Sequence, residues 1–117
     1  MQMEKLITLV IALLLAACSN YEQELLVVDV TKSERIILKS KNKKYPYAIS
    51  IRGSGHVNGN AEVLLMVNNK PYKTVSIAGK VDFYWRGDWY ENEAIVQYNA
   101  SDVTEGRLII EYSFETL

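Results

Sequence analysis

The chain has 117 residues, of which 49% are hydrophobic, and a formal net charge of −1. A balance this close to neutral lacks the cationic surface that nucleic-acid binding needs, and a single cysteine excludes an internal disulfide. A chain of this length makes one domain, and its apolar content is enough for a core that stands without staples.

The first element is an apolar run from Leu6 to Ala17, preceded by Lys5. It is about a dozen residues long, short of the roughly 20 that a bilayer-spanning helix needs, but it suits the apolar part of a cleaved leader. Small residues then lead to the only cysteine, as Leu15-Ala16-Ala17-Cys18. This motif resembles the lipobox of bacterial lipoproteins, with an aliphatic residue and two small ones before the cysteine. The resemblance implies that residues 1–17 are a signal peptide and that the Cys18 thiolate takes up a diacylglyceryl group. The membrane is then a partner, reached through acyl chains on Cys18. In enteric bacteria the next residue sorts such proteins. Ser19, in place of aspartate, implies the inner leaflet of the outer membrane. The alternatives are an ordinary secretory signal and an uncleaved anchor.

Residues 18–24 read as a polar lipidated tether and residues 25–117 as the domain. Leu25 to Val30 is a β-branched run and predicts a first strand, Lys32-Ser33-Glu34 a turn, and Arg35 to Leu38 a second strand. Four lysines follow between Lys39 and Lys44. Such a run can meet lipid phosphates, or it can be a solvated loop or a charge-protected edge. Tyr47, Ile49 and Ile51 alternate with Ala48, Ser50 and Arg52, the period of a half-buried strand. Arg52 to Asn60 holds three glycines and two asparagines and predicts a loop or a bulged turn. It contains His56, the only histidine, which has no ligand companion. Ala61 to Asn68 reads as a central strand, apolar on both faces. Asn68-Asn69-Lys70-Pro71 signals a tight turn. Tyr72 to Ile77 completes a hairpin, and Ala78-Gly79-Lys80 predicts another turn.

Residues 81–90 are the most distinctive stretch, with five aromatic rings among two acids and an arginine. Val81, Phe83 and Trp85 share the parity of a core face, while Tyr84 and Arg86 face out. Gly87-Asp88 predicts a turn, with Trp89 and Tyr90 just beyond it. Tyr84, Arg86, Asp88, Trp89 and Tyr90 are the candidate binding surface. Exposed rings beside charges suit a protein interface, and they also suit stacking on sugar faces. Alternatively, Trp89 and Tyr90 cap a small core with their polar atoms hydrogen-bonded at its rim.

Glu93 to Asn99 reads as a strand, and Ser101 to Gly106 as a polar connection able to start one helical turn. Leu108, Ile110, Tyr112 and Phe114 alternate through a last strand. Gly106-x-Leu108-x-Ile110-x-Tyr112-x-Phe114 looks like the closing strand of small β-domains of uncharacterised bacterial lipoproteins. About eight short strands between turn signals predict an all-β fold, a small antiparallel β-sandwich. No nucleophile elbow, P-loop or calcium-loop pattern occurs, so the expectation is a non-enzyme with no cofactor and no metal. Two functions fit: binding of another envelope or periplasmic protein in an assembly, inhibitor or immunity-like role, or binding of a glycan or lipid head group.

Overall fold

The computed structural model describes residues 23–41 and 44–117. The expected signal peptide, Cys18 and the expected tether up to residue 22 lie outside the described residues. What is described is all-β: six strands in one antiparallel sheet, with no helix. They are β1 (Glu24–Val28), β2 (Glu34–Lys39), β3 (Pro46–Val67), β4 (Lys70–Asp88), β5 (Glu93–Ala100) and β6 (Gly106–Thr116).

Six strands replace the expected eight because two predicted breaks are not breaks. β3 runs for 22 residues straight through the glycine-rich stretch 52–60, and β4 runs for 19 residues through Ala78-Gly79-Lys80. Ordinary strands have about five or six residues, so strands this long must bend. The β3–β4 ladder shifts register between Val57 and Asn60, a bulge at mid-length. Opposite that bulge, Gly79 takes φ +67°, which L side chains disfavour. The glycines and asparagines here bend paired strands rather than reverse the chain. The Asn68-Asn69 turn does reverse it, with φ values of 52° and 62°.

The rest of the sheet follows the same bend. β6 pairs with β3 over Pro46–Val57, and β5 pairs with the same edge of β3 over Ala61–Met66. Residues 101–105 detour between them at the bend. Asn58 fixes this detour: its Oδ1 accepts from the amides of Thr104 (2.9 Å) and Glu105 (3.1 Å), and its Nδ2 donates to Thr104 Oγ1 (2.7 Å). The Asn60 amide donates to Asp102 Oδ1 at 2.6 Å. These side chains take over where the ladder is interrupted. β1 then pairs with β6, and β2 with β5.

The two halves, β1-β6-β3-β4 and β2-β5-β3-β4, are therefore one sheet joined through β3 and β4 and curled into a half-barrel. Two separately bonded sheets of a sandwich do not describe this ladder. The concave face carries the core, in a single cluster drawn from both halves: Ile51, Val57, Leu108 and Ile110 from one, Leu38, Val63, Val96 and Tyr98 from the other. Tyr98 is fully buried, and its hydroxyl donates to the Val30 carbonyl at 2.7 Å. Val81, Phe83 and Trp85 face this core as their parity predicts.

The curl gives the molecule two poles. The bend gathers residues 29–33, 57–60, 78–80 and 101–105. The opposite pole gathers the free strand ends. There the Trp89 amide donates to the Tyr47 carbonyl (3.1 Å), and the Ser40 amide to the Asn92 carbonyl (2.9 Å).

Candidate functional site

Strand parity and the end of β4 divide the five candidate residues between two places. Tyr84, Arg86 and Asp88 point from the convex face of β4. Tyr84 stands in register with Arg52, Arg86 with Ser50 and Asp88 with Ala48. The Arg52 guanidinium lies 5.3 Å from the centre of the Tyr84 ring. Arg86 reaches across β3 to Glu115 of β6 in a two-pronged pair, Nε to Oε1 at 3.1 Å and Nη2 to Oε2 at 2.6 Å. Hydrogen bonding and charge from Arg86 hold the Glu115 carboxyl below its ordinary range, with smaller help from the side chains of Tyr47 and Ser50. A planar fork matched to a carboxylate in this way is already occupied. Arg86 thus ties three strands together. Around it lies a polar depression of about 410 Å³, shared with Arg52, Glu111 and Ser113.

Trp89 and Tyr90 lie at the pole of free strand ends, just past β4. Trp89 is half-buried and packs against the core, and its indole N–H donates to the Glu93 carbonyl at 3.0 Å. That is the rim-capping arrangement. Tyr90 stays 68% exposed. Both border a groove of about 760 Å³. Its opposite wall comes from the β3–β4 hairpin tip, with Met66, Val67 and Tyr72, and Ile95 of β5 also lines it. Asp88, the last residue of β4, reaches this border as well as the convex face, and with Glu91 and Glu93 makes three carboxylates. The groove is therefore aromatic and apolar with an acidic border, large enough for a bulky side chain or a ring-sized ligand.

Sequence reading missed Tyr72, Met66 and Ile95 as partners of Trp89. The available signal was the second apolar face of residues 61–68, where Leu64, itself buried, and half-buried Met66 lie opposite Val63 and Leu65. Their company could not be read without knowing that the sheet folds over and brings the hairpin tip back to the end of β4. His56 lies at the bend, exposed, in register with Lys80 and Arg107. Among the described residues no group of three or more His, Cys, Asp or Glu side chains is arranged to hold a metal ion.

No protein-family model matches the chain, and no curated protein sequence matches it. Its fold is similar to that of a segment of dimeric latent PorU from Porphyromonas gingivalis, with a TM-score of 0.51 at 12% identity. That match covers 82% of this chain and 13% of the PorU chain, so the likeness is to a small part of a much longer protein and is one of fold. A protein of Bacillus endospore appendages, described as a family of disulfide-linked pili, gives a TM-score of 0.38 at 8% identity, over 82% of this chain and 89% of that one.

Proposed function

We propose that the chain is a non-catalytic binding module of the bacterial envelope. It is held to the inner leaflet of the outer membrane by acyl chains on Cys18, and it engages another envelope or periplasmic protein through the groove at Trp89 and Tyr90. The observation that carries this reading is the groove itself. An exposed tyrosine stands beside a tryptophan and apolar side chains, with three carboxylates at the border. Aromatic anchors in a partly desolvated pocket are what protein interfaces use. The carboxylates suit a partner segment that presents an apolar side chain flanked by lysine or arginine.

Binding is best tested through Tyr90. Tyr90→Ala removes an exposed ring and should abolish capture of a stoichiometric envelope protein while leaving the melting temperature unchanged. Capture that survives Tyr90→Ala, with the fold intact, overturns the groove as the site. Trp89→Ala is a poorer probe. It removes a core-packed ring and should destabilise the fold by about 2–4 kcal/mol, measurable by urea titration. Labelled palmitate on Cys18 of the mature product tests the anchor.

The exposed Tyr72 and Tyr90 rings beside carboxylates also favour a second reading, a glycan or lipid head group stacked on the rings. Trp89 fluorescence that moves with an oligosaccharide, in the absence of any protein, supports this reading over the first.

A further inference from the structure

The lysine run has no place in either reading of the groove, yet the fold puts it beside the point where the chain enters the domain. Lys41 Nζ lies 2.9 Å from Glu24 Oε1, at the very start of β1. Lys39 ends β2 next to Glu93, 3.9 Å away. The lysine side chains of both pairs remain exposed, 67% for Lys41 and 69% for Lys39. Lys44 follows on the surface, and Tyr45 beside it is 80% exposed. A large ring left this bare gains nothing from the core. Tyrosine is, however, one of the two residues favoured at the boundary between lipid and water.

We infer that Lys39, Lys41, Lys44 and Tyr45 form a contact surface for an anionic phospholipid bilayer. The lysines face lipid phosphates, and the Tyr45 ring enters the head-group layer. This rests on acylation of Cys18. From Cys18 to Gln23, where the described chain begins, the backbone can reach at most about 18 Å. The acyl chains therefore hold this pole close to the bilayer, and the surface nearest the tether meets lipid first. At physiological ionic strength charge attraction acts over about 8 Å, within the range the tether allows. The bend pole, with Lys32 in the turn after β1, faces away. The groove at Tyr90 shares the membrane-side pole, so its ligand is engaged at the bilayer surface.

The test uses the acylated mature chain in vesicles, with one added cysteine carrying an environment-sensitive dye. Tyr45→Cys reports the proposed contact and Lys32→Cys the opposite pole. Quenching by head-group spin-labelled lipid should be strong at 45 and weak at 32. It should exceed the level in purely zwitterionic vesicles when anionic lipid is present. It should return to that level in about 1 M salt, where screening cuts the range to about 3 Å. Lys41→Glu with Lys44→Glu should do the same at low salt. Equal quenching at both positions, or indifference to lipid charge, overturns the contact while leaving the anchor standing. A purified chain with no acyl group on Cys18 overturns the anchor and the contact together.

Discussion

Tyr98 sits where the two halves of the sheet meet. It comes from β5, and its hydroxyl satisfies the Val30 carbonyl just past β1. Burial pushes its phenol above the ordinary range, with the nearby Asp29 charge adding to the shift. Tyr98→Phe keeps the ring and leaves that carbonyl without its donor, which should cost about 1–2 kcal/mol in urea unfolding. Glu115 makes a prediction about acid. Its carboxyl titrates lower in the fold than in the unfolded chain, so it contributes stability above the unfolded carboxylate range. That contribution is lost as pH falls through the lower folded value. Unfolding midpoints measured from neutral pH downward should fall more steeply for the natural chain than for Glu115→Gln. Some acid sensitivity should persist in the variant, because Asp29 is also held low, chiefly by hydrogen bonds from Thr31. Strand parity in the sequence already set Arg86 facing outward. Its attachment to Glu115 could not be read, because nothing in either local pattern says that β6 lies two strands away from β4.

At the scale of elements, the bend is a glycine device. An added Cβ at Gly55 would run into the Arg107 carbonyl, and one at Gly106 into the His56 carbonyl. Both glycines also have positive φ, 140° and 147°. Gly55→Ala and Gly106→Ala should each lose about 1–3 kcal/mol or more. Gly87→Ala, with open space around its Cβ, should stay within about 0.5 kcal/mol. Equal melting temperatures for all three variants would remove this account of the curl. The strands β2, β5 and β6 were legible because each is an uninterrupted run, and the alternation of β6 was read directly. The joins in β3 and β4 were not. A glycine at positive φ serves a chain reversal and a bulge equally well, and the choice lies in whether a partner strand continues alongside. For the same reason Trp89 and Tyr90 could be picked out as neighbours in sequence, whereas Tyr72 came to them only through the fold-over.

At the scale of the whole molecule, β1, the first described strand, pairs with β6, the last, Glu24 to Tyr112 through Val28 to Leu108. β3, in the middle, waits for both β5 and β6 along one edge. Most of the sheet's contacts are non-local, and folding of such topologies is slow, in about milliseconds to seconds. Stopped-flow refolding followed by Trp85 and Trp89 fluorescence should give that range, and microsecond folding would contradict the topology. The β3–β4 hairpin can form early, but the core lacks Leu108 and Ile110 until the last strand arrives.

A polypeptide that emerges amino end first from a ribosome therefore cannot seal this core part-way. Its β1 segment must travel without a mate until residues 106–116 are out. The pairing of β1 with β6 thus leaves the concave face unsealed until residues 106–116 have joined it.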